Sequence, residues 1–320
     1  MQELFGEIRN ELKVVEQELR NFLQAPDPFI TETATHLLNA GGKRLRPAFS
    51  LLGGRYADYS FERVLPVAMA LELIHMATLV HDDVVDGAVK RRGVDTVKAL
   101  WGNKVSTHIG DYLFAKSLIL VSRYEEPLMS RVLADTSVKM CEGEMLQIVT
   151  CYDFGQTVKD YFFRIKRKTA LLISASCQLG ALACGAPAAI SEPLRRYGYN
   201  LGMAFQITDD ILDLVADQEL LGKPVGSDLR QGILTLPTIY ALTHSPKKER
   251  LYALISAREQ SQDGIAEAIE LIKECGGVAF AARVGQRFIA RAKQSLAVLP
   301  AKPVKKTLEL VADYIHARKY

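Results

Sequence analysis

The chain has 320 residues, 48% of them apolar, and sets 40 lysines and arginines against 37 aspartates and glutamates for a net charge of +3. That length and apolar share supply a large core, while a near-balanced charge with no Lys/Arg tract argues against nucleic acid as a partner, so any anion site must be local. Five scattered cysteines, Cys141, Cys151, Cys177, Cys184 and Cys275, lack zinc-knuckle spacing and a signal peptide, so reduced thiols in a cytoplasmic protein are expected.

Helical periodicity runs nearly from end to end. Leu4, Phe5, Ile8, Leu12, Val15, Leu19 and Phe22 fall three or four apart, one stripe of an amphipathic packing helix. Breaks are expected at Pro26 and Pro28, Gly41 and Gly42, Gly53 and Gly54, Pro127, 185–187, 222–224, Gly276 and Gly277, Pro300 and Pro303. The stretch 169–191 carries no charge and is the best candidate for a membrane span. Its Ser, Gln, Gly and Pro favour a helix buried in a bundle instead. Few runs alternate β-branched residues, so the expectation is an all-α bundle, one domain over 1–320 without a linker.

Within LELIHMATLVHDDVVD, Asp82 and Asp86 share a helix face, with Asp83 between them and His75 and Thr78 on the same stripe. Like charges at that spacing repel, so the pattern asks for a cation, and oxygen-only ligands select a hard ion such as Mg²⁺. A solvated acidic helix end is the plainer alternative. FQITDDILD repeats the spacing with Asp209, Asp210 and Asp213, and Gln206 stands one turn before Asp209. Two such helices facing a cavity could hold several Mg²⁺ around one diphosphate.

In NAGGKRLRPAF, Gly41 and Gly42 would end one helix, and Pro47 suits the first turn of the next while disfavouring helix at Arg46. Lys43 and Arg46 are thus expected in a connection near a helix N-terminus, a local anion site or else an exposed basic turn. Arg91, Arg92, Lys168, Lys223 and Arg230 are further candidates, some of them ordinary surface charges.

GGKRLRP (41–47), HDDVVD (81–86) with RRG (91–93), WGNKVSTHIGDYLF (101–114), GE (143–144), KTA (168–170), FQITDDILD (205–213) and GKPVGSDLRQGILTLP (222–237) run in the order found in trans-isoprenyl (polyprenyl) diphosphate synthases, and the chain resembles that family. LELIHMATLVHDDVVD is similar to medium- and long-chain members, particularly the catalytic component of bacterial heptaprenyl diphosphate synthases. The resemblance implies an all-α isoprenoid-synthase-type bundle with a central cavity, and Mg²⁺, three ions per site, with Asp82, Asp86 and Asp209 as principal ligands and Asp83, Asp210 and Asp213 supporting the metal directly or through water. It implies that Arg91, Lys168 and Lys223 complete the allylic diphosphate site and that Lys43, Arg46, His75 and Arg92 hold isopentenyl diphosphate. Thr169 and Gln206 would present oxygens to the allylic cation, Lys168 would join them as a catalytic residue through the allylic diphosphate it holds, and the departing diphosphate would take the proton. Arg230 departs from the lysine often found nearby in farnesyl synthases.

Short-chain relatives often plug the cavity with rings four or five residues before the first acid; here those positions are Thr78 and Ala77. A growing tail could pass toward Ile74, Leu73 and Ala70, each five-carbon unit gaining about 1–3 kcal/mol of burial, which predicts a product of about C30–C40 made from farnesyl or geranylgeranyl diphosphate. A C15–C20 synthase is the alternative. A terpene cyclase would not need Lys43, Arg46 and His75, an HD-type phosphohydrolase would want more histidine ligands, and a non-catalytic subunit could have lost its acids. The resemblance further implies a homodimer, or a heterodimer with a small second subunit, transient membrane contact at most, and by analogy a product used in quinone side chains.

Overall fold

The helical periodicity of the sequence is realised as α-helix along nearly all of the described chain, which in this computed structural model comprises residues 2–215, 225–257 and 261–317. The chain folds as two units. Unit 1 comprises Met1–Ser137, Ala175–Arg195 and Leu299–Leu308; unit 2 comprises Val138–Ser174, Arg196–Val298 and Glu309–Tyr320.

Unit 1 opens with α1 (Arg9–Phe22), which buries the predicted stripe at Val15 and Leu19, and α2 (Pro28–Asn39), where the Asp27 side chain caps Phe29 N–H and Pro28 occupies the first turn. Then follows α3 (Leu45–Gly54). It starts two residues before the expected boundary, so Arg46 is helical; Pro47 still lies in the first turn, where its missing N–H leaves no bond unmade. The helix α4 (Phe61–Val85) is capped by Ser60 and buries Val67 to Ile74 continuously. Pro66 interrupts its ladder, and Tyr124 mends the gap: the hydroxyl accepts from Val67 N–H at 3.0 Å and donates to Arg63 O at 2.5 Å.

A hairpin that the periodicity did not announce follows, β1 (Lys90–Arg91) antiparallel to β2 (Val94–Asp95), with Arg92 and Gly93 both at positive φ in its turn. It leads into α5 (Val97–Val121), which packs along α4 and kinks at Gly102. The uncharged 169–191 stretch is not one helix. It divides into α8 (Leu171–Ala183) and the start of α9 (Ala188–Val215), after α6 (Pro127–Val149) and α7 (Val158–Ile165). Among the described residues, the helix long and apolar enough to cross a membrane is instead α4, 67% of whose apolar window is buried in the protein.

In unit 2, a capping box of Thr157 and Asp160 starts α7, and one π-helical turn, Lys166–Ala170, joins it to α8. Further on come α10 (Ser227–Arg230), α11 (Leu236–His244), α12 (Lys248–Ile255), α13 (Gln262–Glu274), α14 (Gly277–Ala297) and α15 (Pro303–Ala317). Ile265, Ala268, Ile272, Ala281 and Ala292 bury the apolar faces of α13 and α14.

Candidate active site

In unit 1, Asp82 and Asp83 occupy the last turn of α4 and Asp86 is its C-cap, with no basic residue in that turn. The negative end of the helix dipole therefore adds to their mutual repulsion. They are not equivalent. Asp83 is 2% exposed and its Oδ1 accepts from Arg91 Nε at 2.7 Å, whereas Asp82 is partly exposed and Asp86 exposed. Burial raises the Asp83 carboxyl above its ordinary range, an effect that Arg91 and Lys98 oppose. The short hairpin thus serves to bring Arg91 back onto the helix it follows.

His75, on the same helix, stands among arginines. Arg46 Nη1 is 3.2 Å from its Nε2, and burial together with Arg46, Arg92, Arg91 and Arg44 pushes its pKa well below 6.5, so the imidazole is neutral and accepts from Arg46. Arg44 is buried at the start of α3, bonded to Glu72 Oε1 at 3.1 Å and to Leu38 O at 2.7 Å. Arg92 reaches back to the carbonyls of Leu37 and Gly41. A Cβ on Gly42 would stand 2.8 Å from Arg92 Nη1 at a φ of +147°, so a larger residue there would push the guanidinium aside and strain the turn. Lys43, Arg46, His75 and Arg92 are all segments of this basic patch or of the turn that forms it.

The proposed floor of the prenyl channel divides. Thr78 is partly exposed, with its hydroxyl turned to His75 O at 2.8 Å, and Ala77 is 2% exposed. Ile74, Leu73 and Ala70 have almost no accessible surface, so the expected path past them is filled by packing in this structure, and a tail running there must displace side chains.

In unit 2, the second acid cluster lies in the last two described turns of α9, again with no basic residue in the last turn. Asp209 is partly exposed; Asp210 and Asp213 are 5% and 1% exposed. The Asp210 oxygens accept from Tyr161 Oη at 2.6 Å and Gln206 Nε2 at 2.7 Å, and Gln206 Oε1 accepts in turn from Thr169 Oγ1 at 2.7 Å. Burial pushes Asp210 up to about 6, against the pull of those donors, and drives Tyr161 well above 10. Asp213 accepts from Asp228 N–H at 3.1 Å. Asp210 and Asp213 are therefore buried and each already accepts a hydrogen bond, whereas Asp209 is partly exposed.

Lys168 sits in the π turn beside Thr169, and its Nζ is 2.9 Å from Glu144 Oε2. Gly143 lets the turn approach α6, since a Cβ there would lie 2.7 Å from Arg167 Cβ. Lys223 lies outside the described residues. A pocket of about 560 Å³ lined by residues such as Tyr152, Phe154, Lys248 and Tyr252 contains none of the expected site residues.

Residues 27–272 match the polyprenyl synthetase family profile. The chain belongs to the polyprenyl synthetase family. It is thereby a prenyltransferase, all-α like its relatives. It is 44% identical to heptaprenyl diphosphate synthase component 2 of Bacillus subtilis over 98% of this chain and 89% of that protein, and 46% identical to the component of the same name from Geobacillus stearothermophilus over 99% and 98%. Among solved structures, a polyprenyl synthase from Caulobacter crescentus complexed with calcium and isoprenyl diphosphate superimposes with a TM-score of 0.93 at 35% identity, covering 100% of this chain and 98% of that one. More distant relatives are named for products from geranylgeranyl to nonaprenyl diphosphate.

Four residues of this polyprenyl synthetase were missed as site components by sequence reasoning: Glu72, Glu144, Tyr161 and Lys98. Glu144 could have been found, since GE at 143–144 was already a matched motif. Tyr161 looked like any aromatic on a helix, and its partner Asp210 lies 49 residues away.

Proposed function

We propose that the chain condenses isopentenyl diphosphate with an allylic diphosphate, farnesyl or geranylgeranyl, in successive Mg²⁺-dependent head-to-tail steps, giving an all-trans polyprenyl diphosphate of about C30–C40 and releasing diphosphate. One observation carries this reading: each cluster sets two aspartates four apart on one helix face, Asp82 and Asp86 at the end of α4 and Asp209 and Asp213 in the last two described turns of α9. Like charges at that spacing disfavour such an arrangement without an added cation.

The donors fit magnesium. They are oxygen only, and among the described residues no three His, Cys, Asp or Glu side chains form a ready-made cage, as suits an ion that takes one or two carboxylates and completes its shell with water and phosphate oxygens. Asp82, Asp86 and Asp209 would be the principal ligands, with Asp83, Asp210 and Asp213 supporting the metal directly or through water, for three ions per site. When bound, the metal supplies charge neutralisation to the leaving diphosphate.

Arg91, fixed by Asp83, and Lys168, fixed by Glu144, bring preorganised positive charge to the same diphosphate, together with Lys223. Lys43, Arg46, His75 and Arg92 seat isopentenyl diphosphate, which stays attached and needs positioning only. The allylic C–O bond breaks with its electron pair leaving on the diphosphate; the double bond of isopentenyl diphosphate supplies the pair for the new C–C bond, and the departing diphosphate takes the proton. The oxygens of Thr169 and Gln206 stabilise the allylic cation. The interleaving of the two units in sequence supports one catalytic domain over 1–320.

Small side chains at Ala77 and Thr78, and the names of the heptaprenyl relatives, support the longer product. The full packing at Ile74, Leu73 and Ala70 favours a second reading, a C15–C20 synthase. Because those relatives are called component 2, the active form is proposed to be a dimer, with itself or with a small dissimilar subunit. The test is to incubate the purified chain with farnesyl diphosphate, Mg²⁺ and excess isopentenyl diphosphate, alone and with the other component of a heptaprenyl diphosphate synthase. Products beyond C20 are expected; accumulation at C20 or less selects the second reading, and no coupling in either mixture overturns both.

A further inference from the structure

Tyr152 has a φ of +60°, a left-handed conformation that a bulky side chain rarely adopts and that persists where its surroundings demand it. Those surroundings are a clasp on a distant loop. Its N–H donates to Gly232 O at 2.9 Å, its hydroxyl donates to Arg230 O at 2.9 Å, and its ring lies against Gly232 so closely that an added Cβ there would stand 2.6 Å from three ring carbons. Gly232 is itself at φ +69°, so space and backbone both require glycine.

The clasped loop runs back to the second acid cluster. Ile233 N–H donates to Asp228 O at 2.9 Å, Asp228 N–H donates to Asp213 Oδ2 at 3.1 Å, and Gly226 N–H donates to Asp213 O at 2.8 Å. A buried brace joins the same two stretches: Arg164 donates to Gln156 Oε1 at 2.6 Å and to Leu234 O, while Gln156 Nε2 donates to Thr150 O at 2.8 Å. The brace holds the far end of the loop. Tyr152 holds its middle, where half of the tyrosine is open to solvent and a purely structural core contact is not needed.

We propose that Tyr152 is a positioning residue that clasps Arg230 and Gly232, keeps 226–233 seated on Asp213, and so tunes binding of the allylic diphosphate without touching it. The inference rests on the proposed function, which gives the second acid cluster to that substrate.

Three variants test it, each with whatever subunit the wild type needs. Tyr152→Phe removes only the hydroxyl bond, Tyr152→Gly relaxes the φ but removes the ring, and Gly232→Ala displaces the ring from the other side. Hydrogen exchange of peptides covering 226–235, read by mass spectrometry, should quicken about 3–10-fold in Tyr152→Phe and further in the other two. The KM for farnesyl diphosphate should rise in the same order, while in Tyr152→Phe the KM for isopentenyl diphosphate and the melting temperature stay put. Unchanged exchange in all three variants, quickened exchange with an unchanged farnesyl KM, or equal movement of both KM values would each overturn the proposal. If the wild type itself fails to couple the substrates, the function is at fault, and exchange at 226–235 still decides the clasp.

Discussion

Arg46 Nη1 lies 3.2 Å from His75 Nε2, an arginine donating to an imidazole that burial and four neighbouring arginines keep neutral. His75 therefore acts as a fixed acceptor that aims Arg46. Replacing it with alanine should raise the KM for isopentenyl diphosphate about 10-fold, the worth of one hydrogen bond to a charged group, with a smaller change in kcat. Because the imidazole is already neutral, that KM should show no inflection near pH 6.5 in steady-state assays.

The same depressed pKa makes a stability prediction. Below pH 6.5 the unfolded chain takes up a proton at His75 that the folded chain refuses, so this part of the stability is present above pH 6.5 and is lost as the pH falls. Asp210, raised to about 6, acts in the opposite sense: its contribution is present below 3.8 and is lost as the pH rises through about 6. Going from pH 5.5 to 7.5 in urea unfolding, the wild type should gain more stability than His75→Gln, in which the opposing loss at Asp210 is no longer offset.

Gly42→Ala places a methyl against Arg92 Nη1 and asks alanine for a φ of +147°. The expected cost is about 1 kcal/mol of stability from the positive φ, with Arg92 pushed from the carbonyls it holds. A raised KM for isopentenyl diphosphate and an unchanged KM for the allylic substrate would be the kinetic sign, measured with one substrate saturating.

Much of the fold and some of the site were legible in these sequences of charge and apolar spacing. The α4 stripe, its acids and the repeat of those acids in α9 could be read because a helix translates i and i+4 into one face. The hairpin carrying Arg91 and Arg92 could not, since two-residue strands leave no period to detect, although Arg92 followed by Gly93 was a turn signal. Inequality among the acids was equally hidden: Asp83, Asp210 and Asp213 look like Asp82 and Asp209 in sequence, and only burial and partners 8 to 49 residues away separate them.

Tyr161→Phe removes one of two donors to a buried carboxylate. The loss should be about 1.5–3 kcal/mol in denaturant unfolding, and the Mg²⁺ concentration for half-maximal activity should rise as Asp210 ceases to steady its neighbour Asp209. An unchanged magnesium titration in a destabilised variant would confine Tyr161 to a structural part.

Ala77→Phe restores a ring where short-chain synthases carry one. The longest product should shorten by at least one five-carbon unit in thin-layer or mass analysis. Unchanged length would place the end of the channel elsewhere than α4.

Unit 1 takes its last piece, Leu299–Leu308, from near the end of the chain, and Lys302 in that piece donates to the carbonyls of Arg55 and Tyr56 at 3.3 and 3.0 Å. A growing polypeptide thus makes Met1–Ser137 well before Leu299–Leu308, which joins it in the same unit, has been synthesised. Until that segment arrives, the surface it covers around Arg55 and Tyr56 stands open, so unit 1 reaches its finished packing only late in synthesis.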